Sequence, residues 1–134
     1  MLAQNGTADA LNGHRYIYDA ECVKVVDGDT LKLEVDLGLD CRRSITIRLY
    51  GINAPEVRGP EREEGIVSKN ALRDMVDNST GGLIIQTIRD KTGKYGRYLA
   101  RIYGDQGQEF GEELVRLGLA KAVDYGKKKA KKKE

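Results

Sequence analysis

Alternation of hydrophobic and polar residues predicts that the chain begins with three β-strands joined as a meander. The segment "YIYDAECVKVV" (16–26) is rich in β-branched and aromatic residues, while "LKLEVDL" (31–37) and "SITIRLYGI" (44–52) alternate between hydrophobic and polar positions. Between the first two segments lies Asp27-Gly28, a pair typical of a type I′ turn in which both central residues have positive φ. We therefore expect a tight hairpin at this point.

The second half of the chain adds two helices and two more strands. Hydrophobic residues recur at helical spacing over 60–78, and "FGEELVRLGLA" (110–120) has the pattern of a short helix. The segments "LIIQTI" (83–88) and "YLARIY" (98–103) are typical of strands. The order β-β-β-α-β-β-α predicts an α+β, mainly β fold, namely a five-stranded OB-fold barrel.

The length of the chain, 134 residues, fits a single domain with one core. We expect a mobile N-terminal tail over 1–15, the barrel domain over 16–126 and a lysine-rich tail over 127–134. The sequence has no apolar run of the length that spans a membrane, and its first residues lack the pattern of a signal peptide. These features predict a soluble monomer; secretion after removal of a signal and a cytoplasmic location both stay open.

Charge is distributed unevenly along the chain. The formal net charge is +2, but the last eight residues, "KKKAKKKE", contribute +5, so the rest of the chain carries −3. Such a tail is typical either of an arm that binds nucleic acid or a membrane surface, or of a solvated terminal segment. Both interpretations stay open at this point.

Cysteine and histidine usage excludes two classes of site. Cys22 and Cys41 permit one disulfide, but they form no CxxC pair and have no histidine at metal-ligand spacing, which argues against zinc. Because Cys22 has the pattern of a barrel-strand residue and Cys41 that of a turn residue, we favour two free thiols. His14 is the only histidine and lies in the polar N-terminal segment, so a histidine-based triad or general base is not expected.

Carboxylates, an amide and arginines cluster instead at the predicted strand ends. Oxygen ligands of this kind suit a hard cation such as Ca²⁺, and planar guanidinium groups match the charge that develops on a phosphodiester during hydrolysis. This residue set therefore indicates metal-assisted phosphate chemistry. Its members are Asp27, Asp29, Arg48, Asn53, Glu56 and Arg97.

Four segments in order along the chain resemble the thermonuclease-like, or staphylococcal-nuclease-like, family. They are "VVDGDTLKL", "IRLYGINAPE", "KYGRYLARIY" and "LVRLGLAKA". The resemblance covers about residues 17 to 123. It implies an OB-fold barrel and a calcium-dependent nuclease that acts on DNA and RNA, with a preference for single strands.

The resemblance implies a metal site at one end of the barrel. Asp29 matches a metal-binding aspartate, Asp27 matches an acidic neighbour in the outer shell, and Ala54 matches the residue whose backbone carbonyl is a ligand. Asn53 stands where the family usually has a second aspartate. Because ligand charge is a main determinant of calcium affinity, we expect one weakly bound Ca²⁺ ion.

The resemblance also implies the catalytic residues. Arg48 and Arg97 match the two arginines that bind the scissile phosphate and stabilise its transition state, and Glu56 matches the glutamate that positions and deprotonates the attacking water. The implied substrate-binding residues are Lys94, Tyr95 and Tyr125. Tyr125 lies one place beyond the position of the family's stacking tyrosine, which Asp124 occupies here.

Two functions therefore compete. The first is a nuclease with low sequence specificity that leaves 3′-phosphate ends, as the resemblance implies. The second is a non-catalytic OB-fold module that binds single-stranded nucleic acid or a protein partner, which the missing carboxylate at Asn53 favours. The presence of Glu56 between two candidate arginines opposes it, because a binding module does not need a residue that activates water.

Overall fold

The computed structural model describes residues 15–92 and 96–123 of the chain. Nearly all of the two predicted tails lies outside these ranges. Within them, no helix is long and apolar enough to cross a membrane. The elements are strands β1 (Ile17–Asp27), β2 (Thr30–Gly38), β3 (Cys41–Leu49), β4 (Ile52–Asn53), β5 (Leu83–Thr92), β6 (Tyr98–Tyr103) and β7 (Lys121–Ala122), helices α1 (Arg62–Asn78) and α2 (Phe110–Arg116), and a 3₁₀ turn (Gly59–Glu61).

Five of the strands close into a barrel in the order β1-β2-β3-β6-β5. Neighbouring strands are antiparallel except β3 and β6, which run parallel with Ile47 opposite Tyr98 and Leu49 opposite Ala100. This arrangement confirms the predicted five-stranded OB-fold barrel. As predicted, a helix, α1, lies in the chain between the third barrel strand, β3, and the fourth, β5.

The barrel interior is filled by the hydrophobic positions of the alternating strands. α1 contributes Leu72 to this core, and α2 contributes Phe110 and Leu114, all with no exposed surface. The core is continuous and therefore holds both helices on the barrel. The strand residues with no exposed surface are Leu31, Leu33, Ile47, Ile85, Ala100 and Ile102.

The predicted third strand is in fact broken into two pieces. β3 ends at Leu49, and after a turn in which Gly51 has a φ of +85° the chain enters the two-residue strand β4. β4 leaves the barrel and pairs with β7, with Asn53 opposite Lys121. The prediction of one strand over 44–52 was therefore wrong at its end, and this small second sheet fixes the position of Asn53.

The first hairpin is not the predicted type I′ turn. Asp27 pairs with Thr30, so the two loop residues are Gly28 and Asp29. Neither loop residue has a positive φ. A Cβ atom on Gly28 would lie 2.7 Å from the Cβ of Ser68 on α1. Glycine is therefore required at this position for the close approach of the helix, and not for left-handed backbone geometry.

Positive φ angles occur instead in the second hairpin. Its two loop residues are Leu39 and Asp40, with φ of 55° and 61°. Cys41 follows as the first residue of β3 and is exposed, whereas Cys22 is half-buried in β1. Both thiols are free, as the sequence predicts.

Helix α1 packs directly on the backbone of the segment that follows β4. A Cβ atom on Gly65 would lie 2.0 Å from the carbonyl oxygen of Glu56 and 2.3 Å from its carbonyl carbon. These distances leave no room for any side chain on Gly65. The position of the Glu56 backbone is therefore set by α1.

Helix α2 begins beside a pair of carboxyl groups. Glu109 precedes the helix, and partial burial raises its pKa from 4.5 to about 7, with a hydrogen bond to Glu112 and the charge of Glu112 as further causes. Arg101 opposes this increase in the pKa of Glu109. Glu109 therefore keeps its proton up to nearly neutral pH.

We expect the Glu109→Gln substitution to stabilise the protein above neutral pH. The folded state holds the Glu109 proton more tightly than the unfolded chain, so the free energy of unfolding is highest below about pH 4.5 and falls as the pH rises to about 7. Because Glu109 keeps solvent contact, screening reduces the gain of the variant at pH 8 to about 1 kcal/mol. Urea unfolding at pH 4 and pH 8 measures this difference, with Glu63→Gln on α1 as a control for the lost charge. An equal pH dependence of Glu109→Gln and wild type would contradict the expectation.

Candidate active site

The carboxylate of Asp29 is buried at the end of the barrel and held by hydrogen bonds on both oxygens. Asp29 is 6% exposed. Its Oδ2 accepts a hydrogen bond from the backbone N–H of Ala54 at 3.0 Å, and its Oδ1 accepts one from the hydroxyl of Thr30 at 3.0 Å. The backbone carbonyl of Asp29 also accepts a hydrogen bond from the N–H of Leu49 at 2.8 Å. The orientation of this carboxylate is therefore fixed by two strands, β2 and β3, and the loop after β4.

Arg48 links Asp29 to Asn53. One guanidinium nitrogen of Arg48, NH2, lies 2.8 Å from Oδ1 of Asn53 and 3.4 Å from Oδ2 of Asp29. The side chain of Arg48 is only 18% exposed, so its charge is partly removed from water. A partly buried pair of this kind interacts more strongly than a surface ion pair. The two side chains predicted to bind metal are thus brought together around one guanidinium group.

Arg97 joins the same cluster through Thr30, a residue that the sequence analysis did not select. NH1 of Arg97 donates to the Thr30 hydroxyl oxygen at 3.3 Å, while the same hydroxyl donates to Asp29. Thr30 is only 3% exposed. Its hydroxyl therefore connects the buried carboxylate of Asp29 to Arg97, which lies 67 positions after Thr30 in the sequence. In the sequence, the only feature that points to a role of Thr30 in the site is its position directly after Asp29 in "DGDT".

The remaining predicted site residues differ in how they relate to this cluster. Glu56 is exposed and lies in the loop after Pro55, and Asp27 is partly buried at the end of β1. Among the contacts of the described residues, neither carboxylate is hydrogen-bonded to the cluster. Lys94, Tyr95 and Tyr125 lie outside the described residues.

The oxygen atoms of the cluster fit a hard divalent cation. The predicted ligands are the carboxylate of Asp29, the amide oxygen of Asn53 and the backbone carbonyl of Ala54, which are all donor types that Ca²⁺ accepts. A carboxylate has about four acceptor positions, and Asp29 uses three of them for Thr30, Ala54 and Arg48. One position therefore remains for an ion.

The formal charge of this donor set is low. Within the described part of the chain, no three histidine, cysteine, aspartate or glutamate side chains are grouped closely enough to hold a metal. Asp29 is the single carboxylate among the three predicted ligands, and Arg48 adds a positive charge next to it. Both features favour weak cation binding.

A groove lies beside the cluster, of which Asn53 is the member that lines it. It has a volume of about 400 Å³ and runs between α1 and the segment 118–121. Pro55 and Val67 form part of its apolar wall, whereas Glu64 and Lys121 contribute charge. The groove leaves space next to the polar cluster for a bound molecule.

Comparison with known families bears directly on this arrangement. The model of the family described as "Staphylococcal nuclease homologue" matches residues 46–134, which is well over half of the chain. The chain belongs to this family. The matched range of the staphylococcal nuclease homologues includes Arg48, Asn53, Glu56 and Arg97, and it begins after Asp29.

Similar proteins come from bacteria and an archaeon. An "uncharacterized endonuclease" of Escherichia coli is 30% identical over 98 residues, which cover 73% of this chain and 56% of the relative. The "SPbeta prophage-derived endonuclease YokF" of Bacillus subtilis is 30% identical over 111 residues, which cover 80% of this chain and 35% of the relative. An uncharacterized protein of Methanocaldococcus jannaschii is 29% identical, over 87% of this chain and 64% of its own length. This staphylococcal nuclease homologue thus spans about a third to two thirds of the length of these relatives.

Proposed function

We propose that this chain is a calcium-dependent nuclease that hydrolyses DNA and RNA with little sequence specificity and leaves 3′-phosphate ends. The observation that carries the proposal is the buried Asp29 carboxylate, which contacts Arg48 directly and Arg97 through Thr30. Two guanidinium groups fixed at one carboxylate form a preorganised site for a phosphodiester. The endonuclease names of two relatives support the same reaction.

In this proposal, the two arginines bind the scissile phosphate and stabilise the charge that develops on its oxygens. Their guanidinium groups are already oriented by Asp29, Asn53 and Thr30, so little reorganisation is needed when the phosphate binds. A divalent cation held by Asp29, Asn53 and the Ala54 carbonyl would supply further positive charge to the phosphate. Because these groups address the phosphodiester and not the base edges, the sequence specificity is low.

Glu56 acts as the general base in this proposal. It accepts a proton from the attacking water, whose oxygen forms a bond to phosphorus as the bond to the 5′ oxygen breaks. The 5′ oxygen leaves as a hydroxyl group after taking a proton from solvent, and the phosphate stays on the 3′ side. The close approach of Gly65 to the Glu56 backbone supports this role, because it fixes the backbone from which the carboxylate extends.

A cleavage assay tests the proposal directly. Long single-stranded DNA and RNA are incubated with the protein in Ca²⁺ or in EDTA, and the end groups of the fragments are determined by mass spectrometry. We expect fragments with 3′-phosphate ends in Ca²⁺ alone, and none with Glu56→Gln in either condition. Binding of both polymers without fragments in any divalent metal would overturn the proposal in favour of a non-catalytic binding module.

Thr30 is expected to position Arg97 during catalysis. Thr30→Val removes the hydroxyl that joins Arg97 to Asp29 and should lower kcat about tenfold with a smaller change in KM, since a hydrogen bond to a charged group contributes about 1.5–3 kcal/mol. Thr30→Ser keeps the hydroxyl and should recover most of the loss. Equal kcat values in the valine and serine variants, with both folded by thermal melts, would exclude this role.

Asn53→Asp is expected to tighten calcium binding about tenfold, or about 1.4 kcal/mol, because it adds a carboxylate to a site with few charges. Repulsion from Asp29 alone would destabilise the metal-free variant. Arg48 lies 2.8 Å from the Asn53 oxygen, however, and offsets that repulsion, so we expect melts in EDTA to match wild type. Calorimetric titration with Ca²⁺ measures the affinity, with Asn53→Ala as the control. Equal affinity of Asn53→Asp and wild type would show that residue 53 does not reach the ion.

A further inference from the structure

Charges of the same sign face each other across the outer side of the β1–β2 ladder. Residues paired across two antiparallel strands point to the same face, so their side chains are direct neighbours. Like charges in such positions repel, and a sequence that optimised stability alone would place opposite charges there. The three pairs are Asp19 with Asp36, Glu21 with Glu34, and Lys24 with Lys32.

The acidic pairs have a cation beside them, but the lysine pair has no anion. Arg42 is paired with Asp36 in the β2–β3 ladder, and its NH1 lies 3.4 Å from a carboxylate oxygen of Glu34. Lys24 and Lys32 are both exposed. Among the described residues, no carboxylate lies within salt-bridge distance of either ammonium group. The lysine charges are therefore available to a ligand.

The lysine pair lies next to the candidate active site. Lys32 is two positions after Thr30 on β2, so the two residues share a face and lie about 6.6 Å apart along the strand. On the neighbouring strand, Arg48 is opposite Thr30, and Thr46 is opposite Lys32. The lysine pair thus lies one pair of positions beyond Thr30 and Arg48, where Asp27 of β1 is the neighbour of Thr30, and the acidic pairs begin directly beyond the lysines.

We propose that Lys24 and Lys32 bind a phosphate of single-stranded DNA or RNA that neighbours the scissile phosphate. This inference rests on the proposed nuclease function, because it takes the phosphate at Arg48 as the starting point. A phosphate between the two ammonium groups replaces their mutual repulsion by two attractions. The acidic pairs repel the polynucleotide from the far end of the face, so it crosses the β1–β2 ladder at the lysines.

The test measures the salt dependence of binding to an oligothymidine in EDTA, where no cleavage occurs. In Lys24→Gln/Lys32→Gln, the slope of log affinity against log salt should become shallower by about 0.7, since the two lysines share one phosphate and each phosphate contact on a single strand contributes about 0.7. The same variant should melt at the temperature of wild type or above it, because the cross-strand repulsion is removed. A lower affinity therefore does not arise from unfolding.

A matched control separates a local site from a change in net charge. Arg42→Gln/Arg73→Gln also removes two positive charges, one at the acidic end of the same face and one on the exposed side of α1. We expect its slope to equal that of wild type. A wild-type slope in the lysine variant, or an equal decrease in both variants, would overturn the inference.

The outcome also distinguishes this inference from the proposed function. Wild-type protein that cleaves DNA in Ca²⁺, together with an unchanged slope in the lysine variant, would leave the nuclease intact and remove the lysine site. Lysine-dependent binding without cleavage in any divalent metal would retain the lysine site and remove the nuclease.

Discussion

Replacing Arg97 by alanine should lower the turnover of nucleic-acid cleavage by about 10²-fold or more in saturating Ca²⁺. Arg97 is anchored to Thr30 at 3.3 Å, so its guanidinium group is oriented before the substrate binds. A preorganised donor that addresses developing charge acts mainly in the transition state, and the loss of one such donor costs about 10²–10³ in kcat. KM should change much less than kcat. Steady-state kinetics on single-stranded DNA measure both constants.

Two variants control the Arg97 experiment. Arg97→Lys keeps the charge but loses the planar fork, so it should recover only part of the turnover. Arg101→Ala removes an arginine of β6, the strand that follows Arg97, where its guanidinium group lies 4.8 Å from the centre of the Tyr50 ring, and should leave turnover unchanged. Wild-type turnover in Arg97→Ala would show that Arg97 takes no part in the reaction.

Gly65→Ala should destabilise the protein by about 3 kcal/mol, although alanine is the better helix former. In an exposed helix the substitution would gain about 1 kcal/mol. Here the new methyl group would lie 2.0 Å from the Glu56 carbonyl oxygen, so either α1 or the Glu56 loop must move. The free energy of unfolding in urea measures this cost, and turnover should fall with it because Glu56 is displaced.

Asn70→Ala is the matched control for Gly65→Ala, since Asn70 is an exposed residue of the same helix. It should stabilise the protein slightly through helix propensity alone. If Gly65→Ala stabilised the protein to the same extent, α1 would not rest on the Glu56 backbone.

The barrel was predictable because its strands repeat a simple pattern. Leu31, Leu33 and Val35 alternate with polar residues in the sequence, and all three are buried in the structure. The pair β4–β7 was not predictable in this way. Each of these strands has two residues, which is too short for any periodicity, and their pairing depends on contacts between residues about 70 positions apart.

The candidate site was predictable in part. The motif resemblance selected Asp29, Arg48 and Asn53, and the structure brings these three residues into contact. The role of Thr30 could not be inferred, because threonine is common in strands and its bond to Arg97 exists only once the barrel is closed. The turn type at Gly28 was predicted wrongly because packing against α1, and not a positive φ, determines the need for glycine there.

The parallel pairing of β3 with β6 has a consequence for the order of folding. Arg48 lies opposite Leu99, so half of the candidate site is synthesised well before the strand that closes the barrel. Contacts between distant parts of a chain form late, because the entropy of loop closure must be overcome first. A nascent chain that ends with β5 already carries Asp29, Arg48 and Glu56 but lacks Arg97. We therefore expect the proposed nuclease activity only with the completed barrel, and its regain on refolding would report the closure of β3 on β6.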